Sequence, residues 1–467
     1  MSVEAPGDWG GPAAEPEQLA SALWPSGPPP RGGGAPTDGP GGEPTAPEAP
    51  PAVSWRHMAA ALGVPAFAWY WASQLLSGLG TWSQAIAQAW LVLELAGSAS
   101  KAAVWLGTIT MLQFLPLLAF AAIGGVLADR WPRRKVLVGT QIASAAQAAA
   151  LGALVATGSV TLWEVGLLAF LLGTTNALNG PAQQSFVPEL VGPALVADAV
   201  ALNSVQFNSA RMIGAALGGL AVAAWGVSSA LFVNAASFLP AIAVLAMIRP
   251  AYASLDRARP STSLLAELRA GVHYVRTNSS VRRVVLVFGV ASLLGLNWQV
   301  ALPIVARFLL HRQVTGFGGL MAAFGAGSLV AALLLARDRR ATNRRLVTGG
   351  LGLGGAIVLI GLSPWYPVSL VLVAAGGLAS IVVSVTASTR LQLLAPDELR
   401  GRVMGIYTLL MGGTTPIGAF LLGEVTGHLG AEVGLVSFGA ATTLAVATVA
   451  LGLGRRSPAS MGPKWTS

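Results

Sequence analysis

Residues 102–128 read AAVWLGTITMLQFLPLLAFAAIGGVLA, and residues 129–135 directly after them read DRWPRRK. The first segment carries no charge, and crossing the roughly 30 Å hydrocarbon core of a bilayer takes about 20 apolar residues. The second segment is rich in Arg and Lys, which is typical of a loop on the cytoplasmic side of a membrane. The pair predicts a membrane-spanning helix followed by a cytoplasmic loop.

The same alternation recurs along most of the chain. The run Leu346–Thr389 is too long for one span, and the sequence SPWYP at residues 363–367 divides it into two. The fourth run ends before Pro181. With residues 102–128 the chain therefore has about twelve predicted spans, the others being Phe67–Leu93, Val136–Thr157, Leu162–Gly180, Val196–Trp225, Ser228–Ile248, Val284–Leu309, Gly316–Ala336, the two parts of Leu346–Thr389, Val403–Gly423 and Val433–Gly454.

Composition supports a membrane protein and argues against an enzyme. The 467 residues are 54% hydrophobic and 10% charged, whereas soluble domains carry about 25% charged residues. Cysteine is absent, and the sequence has no Walker A loop, HExxH motif or GxSxG motif, so we expect no cofactor and no metal site. The net charge of +9 lies mainly in short loops between apolar runs, which favours a membrane over nucleic acid as the partner.

The distribution of basic residues predicts the orientation of the chain. Lys and Arg are concentrated in the loops after spans two, six and eight, before span eleven and after span twelve. The loops on the other side hold only Lys101, Arg307 and Arg312. Both termini should therefore be cytoplasmic. The excess of Arg over Lys, with abundant Ala, Gly and Pro, suggests a bacterial protein, and hence the inner membrane.

Five segments are predicted along the chain. Residues 1–55, with seven acidic residues and one basic residue, read as a disordered cytoplasmic tail. A six-helix bundle over 56–249 and a second over 282–455 follow, joined by a linker at 250–281, and a short cytoplasmic tail covers 456–467. Within the linker, one face of the segment Ser263–Asn278 predicts an amphipathic helix on the cytoplasmic membrane surface; that face carries Leu264, Leu268, Val272 and Val275.

An internal repeat supports two related halves. Residues 184–189 read QSFVPE before span five, and residues 392–397 read QLLAPD before span eleven. The basic turn at 133–136, RRKV, has a counterpart at 344–347, RRLV. Equivalent positions one half-length apart are what parallel repeats of six helices produce.

These motifs resemble the major facilitator superfamily. Residues 125–135, GVLADRWPRRK, are similar to its signature loop between spans two and three. The segments GTWSQ at 80–84, QAWLVLE at 88–94, QFLP at 113–116, NGPA at 179–182 and RGRV at 400–403 resemble the subgroup of enterobactin exporters and macrolide-efflux pumps. The resemblance implies an all-α membrane protein with twelve helices in two pseudo-symmetric six-helix bundles. It also implies secondary transport of drugs or siderophores, usually driven by a proton gradient.

Span one carries a polar stripe. Its members share one helical face and run the depth of the span, so we expect them to line a water-filled cavity. Hydrogen bonding between helices is the alternative. The stripe consists of Gln74, Ser77, Thr81, Gln84 and Gln88.

Arg211 is the most informative single residue. It lies near the middle of span five, where a charge costs about 2.5–3.5 kcal/mol even on the lenient insertion scale. It therefore predicts a partner, a water path or an anionic ligand, unless the span begins later and Arg211 reaches the interface. Asn203 in the same span and Asn297 and Gln299 in span seven are further candidates for the cavity.

The loop after span two supplies candidates for gating. Gly125 would let a neighbouring backbone approach, and Asp129 would face a helix terminus or pair with arginines to close the cytoplasmic side. Arg130, Arg133 and Arg134 are further gating candidates, although loop charge alone accounts for Arg133, Arg134 and Lys135. No carboxylate lies deep in any span, so Glu94 and Asp129 are the only candidates for carrying a coupling proton, and an interfacial placement explains Glu94 equally well.

The sequence therefore predicts a secondary transporter that exports a bulky amphipathic drug, natural product or siderophore by alternating access. We expect a small-molecule substrate, the bilayer and protons as partners, and a monomeric protein. The alternatives are movement of lysophospholipids between leaflets, which a phosphate bound by Arg211 would fit, and a non-transporting scaffold that uses the acidic tail.

Overall fold

The computed structural model describes residues 60–130, 132–248, 264–338 and 340–454, except for the side chains of 118–130, 264–268, 397 and 453–454. The described residues form helices and turns, with no β-strand among them. The predicted tails at 1–55 and 456–467 and the first part of the linker lie outside these ranges. The helices are α1 (Pro65–Ala96), α2 (Ala99–Arg130), α3 (Arg133–Ala156), α4 (Leu162–Val191), α5 and α6 (together Val196–Met247), α7 (Leu264–Thr277), α8 (Ser279–Leu309), α9 (Val314–Arg337), α10 (Asn343–Leu362), α11 (Tyr366–Leu394), α12 (Asp397–Leu429) and α13 (Ala431–Gly454).

The all-α membrane fold predicted from the sequence is confirmed. Eight elements in the described part of the chain are long and apolar enough to cross a bilayer, and Val196–Met247 contains two helices in one element. Helices α1, α2 and α4 have 32, 32 and 30 residues. At about 1.5 Å per residue each of these exceeds the roughly 30 Å of a hydrocarbon core. Apart from α7, the long helices of the described ranges are consistent with the predicted twelve spans.

Local sequence explains where several helices begin and end. In α4, Thr161 and Glu164 form a capping box, and in α8 and α10 the side chains of Asn278 and Thr342 accept from the first backbone N–H groups. Gly226 separates α5 from α6 with φ of 81°, a left-handed conformation that favours glycine. The predicted end of span four at Pro181 is wrong: α4 continues through Pro181 to Val191.

Helices at equivalent positions in the first and second halves of the chain pack on matching partners. In the first half, α2 packs on α4, α3 packs on α6 and α1 packs on α5; in the second, α9 packs on α11 and α10 packs on α13. The contact of α3 with α6 brings Gly152 against Phe232, and that of α10 with α13 brings Gly354 against Gly439. Equivalent pairs in both halves are what the internal repeat predicts.

Successive long helices alternate in direction, so their connections lie on two sides. We call the side with the start of α1 the basic side, because its turns hold Arg133, Arg134, Arg344 and Arg345; the other is the opposite side. The basic side is the one predicted to be cytoplasmic.

Two helix pairs make the most extensive contacts between the halves, and in both pairs glycines bring the helices close together toward the opposite side. Helix α2 packs on α12, and α5 packs on α9. A Cβ atom added to Gly107 of α2 would lie 3.2 Å from the Cα atom of Gly423 in α12. Small residues on both helices therefore let the two backbones approach closely, as in other membrane helix pairs.

The linker helix α7 packs on the second half. The Tyr274 hydroxyl donates to the Leu394 carbonyl at 3.0 Å, Val275 is buried, and Gly271 lies against Arg402 and Ile406 of α12. Val272, by contrast, is exposed. Part of the predicted apolar face thus contacts protein, and part remains free for the membrane surface.

Candidate substrate cavity

A cavity of about 370 Å³ lies between the two halves. Helices α1, α2, α4 and α5 supply its walls on one side, and α8 and α9 supply them on the other. The polar lining residues are neutral amides and hydroxyls, and the remainder are apolar or aromatic. The lining consists of Thr81, Trp82, Gln84, Ala85, Ile86, Gln88, Ala89, Val92, Leu106, Ile109, Thr110, Gln113, Phe114, Leu172, Asn176, Phe207, Gln299, Phe317 and Met321.

The structure brings four of the predicted cavity residues to this space: Thr81, Gln84, Gln88 and Gln299. Of these, Gln84 also holds helices together. Its Nε2 donates to Gln147 Oε1 of α3 at 3.0 Å, and its Oε1 accepts from Asn234 Nδ2 of α6 at 2.6 Å. Gln84 therefore both lines the cavity and forms hydrogen bonds between helices, the two roles considered for the polar stripe.

Gln74 does not line the cavity. Its Oε1 accepts from Gln141 Nε2 of α3 at 3.2 Å, so it bonds to a neighbouring helix of the same half. Sequence reasoning did not single out the polar face of α3, although its spacing is helical. That face consists of Thr140, Gln141, Ser144 and Gln147, all of them buried.

Arg211 lies beside the cavity, near the middle of α5. Its Cζ atom is 5.9 Å from the centroid of Trp82 and 5.8 Å from that of Phe207, both of which line the cavity. A third ring, Phe324 of α9, lies 5.0 Å away and belongs to the other half. Arg211 therefore contacts both halves through aromatic faces.

Two predicted asparagines lie outside the cavity lining: Asn297 is buried and Asn203 is half-buried. Asn203 Oδ1 and Asn297 Oδ1 have no hydrogen-bond partner among the described residues. Asn297 sits where α8 is interrupted, between a π-helical turn at Ala291–Gly295 and the helix that resumes at Trp298, and its Nδ2 donates to the Leu293 carbonyl at 2.8 Å. The interruption places non-helical backbone one residue from Trp298 and two from the cavity residue Gln299.

Glu94 belongs to a cluster on the opposite side. The Trp90 indole Nε1 donates to Glu94 Oε1 at 2.7 Å, and Arg307 of α8 lies over the Trp90 ring, with Cζ 5.1 Å from the centroid. This cluster joins α1 of one half to α8 of the other. Glu94 is exposed, as an interfacial position requires.

On the basic side, Arg133 and Arg134 contact only their own half in the interactions described. Arg133 forms an ion pair with Glu189 at the end of α4, and Arg134 donates to the carbonyls of Leu245 and Ala246 at the end of α6. Cations at helix C-termini are favourable there. The surroundings of Gly125 and the side chains of Asp129 and Arg130 are not among the described parts of the structure, so the predicted gating roles of these residues remain predictions.

The second half has its own ion pair on this side. Arg345 of α10 pairs with Asp338 at the end of α9. The hydrogen bond from Arg345 holds the pKa of the Asp338 carboxyl below its usual range, so the carboxylate is charged at neutral pH.

Comparison with known proteins identifies the family. Residues 57–459 match the family model described as transmembrane secretion effector. The chain belongs to this family of the major facilitator superfamily. The chain is 29% identical to the multidrug efflux pump Tap of Mycolicibacterium fortuitum over 76% of its length and 88% of that protein. It is 22% identical to macrolide efflux protein A of Streptococcus pyogenes, over 75% of its length and 87% of that protein.

Solved major facilitator transporters share the fold. A bacterial homologue of the human lysosomal transporter Spinster matches with a TM-score of 0.65 and 13% identity, covering 88% of this chain and all of that one. A D-xylose–proton symporter matches with a TM-score of 0.64 and 14% identity, covering 81% and 96%. The family match and the curated relatives make this chain a multi-pass membrane transporter that acts on small molecules, and not an enzyme.

Proposed function

We propose that this secretion effector exports a bulky amphipathic small molecule across a bacterial inner membrane by alternating access, driven by protons. The observation that carries the proposal is the cavity, whose walls come from both halves. A binding site shared between two rigid bundles changes its exposure when the bundles rock against each other.

The contacts between the halves support this motion. Those between Gly107 and Gly423, and those between Gly219 and Gly318, lie toward the opposite side. Access from that side requires these close contacts to separate. The cavity would then load from the basic side in one state and release toward the opposite side in the other.

The lining supports a substrate that is both large and amphipathic. Trp82, Phe114, Phe207 and Phe317 offer aromatic faces, while Gln88, Gln113 and Gln299 offer neutral amides that both donate and accept. Pockets of about 300–1,000 Å³ bury most of a drug-sized ligand. The relatives named for multidrug and macrolide efflux favour export of drug-like compounds.

Proton coupling needs a group that exchanges a proton with each side of the membrane in turn. Glu94 is the better placed candidate, since it hydrogen-bonds to Trp90 and that ring contacts Arg307 across the two halves. Protonation would remove the charge that accepts from the indole, and so would weaken the cluster as the opposite side opens. Asp129 remains the second candidate.

Inverted membrane vesicles provide the test. Uptake of a fluorescent drug into vesicles containing the wild-type chain should collapse when a protonophore dissipates the gradient. Glu94→Gln should abolish the gradient-driven part, whereas Glu432→Gln, a matched exposed carboxylate on the same side, should transport normally. Uptake that persists without a gradient would rule out proton drive, and no uptake of any amphipathic compound would rule out the exporter.

A further inference from the structure

Arg211 is held by aromatic rings rather than by a carboxylate. Three rings lie within 6 Å of its guanidinium, at centroid distances of 5.0 Å for Phe324, 5.8 Å for Phe207 and 5.9 Å for Trp82. Its Nη2 donates to Asn208 Oδ1 at 2.9 Å, a neutral acceptor on the same helix. Its Nε is buried and has no hydrogen-bond partner among the described residues.

The positive charge of Arg211 has no acidic partner in the described part of the chain. The described ion pairs include Arg133–Glu189 and Arg345–Asp338, and Glu424 lies 3.3 Å from His428, all near the ends of helices. The acidic residue nearest to Arg211 along α5 is Asp198, more than three helical turns toward the basic side. A charge at this depth is costly unless something pairs with it.

The rings that hold Arg211 are also walls of the cavity. Trp82 and Phe207 line it, and the 19 lining residues include no charged side chain. In the described contacts, the Arg211 guanidinium places a positive charge against two of the aromatic rings that line the cavity. A cationic substrate would meet a like charge there and no carboxylate, whereas an anionic substrate would supply the missing counter-charge.

Aromatic contacts leave a guanidinium able to bind an anion. A guanidinium that contacts aromatic rings keeps its N–H donors, which lie in its plane and suit carboxylate, sulfonate or phosphate oxygens. Asn208 uses one of the five donors of Arg211 in the described contacts.

We propose that this cavity selects amphipathic molecules bearing an anionic group, and that Arg211 is the residue that sets this preference. The inference rests on the proposed export function and narrows its substrate class. The apolar body of the substrate lies among Trp82, Phe114 and Phe317, and its carboxylate, sulfonate or phosphate lies against Arg211 at the edge formed by Trp82 and Phe207. The anion belongs either to a rigid aromatic acid or to an acidic lipid-like molecule.

A pair of dyes that differ in charge tests the inference. The probes are anilinonaphthalenesulfonate and its uncharged counterpart phenylnaphthylamine, titrated by fluorescence against the full chain in nanodiscs of zwitterionic lipid, with empty nanodiscs as the blank. In Arg211→Gln the affinity for the sulfonate should fall at least about tenfold, equivalent to about 1.4 kcal/mol. The affinity for the uncharged dye should change less than about twofold, equivalent to roughly 0.4 kcal/mol.

Two further variants separate charge from packing. Arg211→Lys should restore much of the sulfonate affinity, because it retains the charge. Arg312→Gln removes another arginine that lies over an aromatic ring, Tyr366 at 5.0 Å, but outside the cavity, and both dyes should bind it as they bind the wild type. Gel filtration and thermal unfolding of each variant report whether it is folded.

The outcomes are distinct. An equal loss of affinity for both dyes in folded Arg211→Gln would mean that Arg211 only shapes the cavity. Unchanged affinity for both dyes would mean that Arg211 does not contact the substrate. Either result overturns the inference about the anionic group and leaves the proposed export function standing. Failure of the wild type to bind either dye would overturn the proposed function itself. Displacement of the sulfonate by an aromatic acid or by an acidic lysolipid identifies which kind of anion the cavity takes.

Discussion

Gly219 of α5 and Gly318 of α9 lie against each other across the two halves. A Cβ atom added to Gly219 would be 3.2 Å from the Cα atom of Gly318, and one added to Gly318 would be 3.0 Å from the Ala215 carbonyl oxygen. Both glycines lie in the parts of their helices nearer the opposite side. Any larger residue at either position would therefore push the halves apart on that side.

Gly219→Leu should favour the state open toward the opposite side. Because the natural chain has no cysteine, Thr110→Cys provides a single reporter in the cavity lining. We expect a membrane-impermeant maleimide to label this reporter in intact cells several times faster when Gly219→Leu is present. Gly139→Leu is the control, since a Cβ at Gly139 meets no atom within 4 Å. Unchanged labelling in Gly219→Leu would mean that this contact does not close the opposite side.

The cluster of Trp90 and Arg307 should contribute to the same closure. An exposed cation such as Arg307 over an aromatic face is worth about 0.5–1 kcal/mol, so Arg307→Gln should raise the open fraction about two- to fivefold. The Thr110→Cys reporter measures this as an increased labelling rate. Arg312→Gln, whose ring contact is with Tyr366, should leave the rate unchanged. A lower rate in Arg307→Gln would show that Arg307 instead stabilises the open state.

Gln84 and Gln88 should respond differently to substitution although both line the cavity. Gln84→Leu leaves Gln147 and Asn234 without their partner, which should destabilise the fold by about 1–3 kcal/mol. No comparable bond between helices is described for Gln88, so Gln88→Leu should cost less than about 0.5 kcal/mol and act mainly on substrate affinity. Unfolding in detergent micelles measures the first effect, and dye titration measures the second. Equal destabilisation by the two variants would contradict this assignment.

The predicted orientation can be tested with two serines. Ser159 is exposed in the turn before α4 on the opposite side, and Ser279 is exposed at the start of α8 on the basic side. In intact cells an impermeant maleimide should label Ser159→Cys and leave Ser279→Cys unlabelled, and inverted vesicles should show the reverse. The reverse pattern in cells would place the basic side outside and exclude the proposed direction of export.

The sequence by itself determined the fold class, because a helix that spans a bilayer must be apolar along most of its length. Long apolar runs, broken at residues 363–367, predicted helices that the structure contains, and the paired motifs at 184–189 and 392–397 indicated two related halves. Where a local rule competed with tertiary packing the prediction was weaker: Pro181 does not end α4, since a membrane helix tolerates proline when its neighbours satisfy the freed backbone groups.

Only the tertiary structure decided what the polar residues contact. Periodicity placed Gln74, Gln84 and Gln88 on one face of α1, but a face touches several neighbours along its length. Gln74 meets α3, Gln88 meets the cavity, and Gln84 meets both. The depth of Arg211 could be read from the sequence, because the residue lies near the middle of a long apolar run, where a charge is costly. Its aromatic surroundings could not, because they include Phe324, a residue from the other half of the chain.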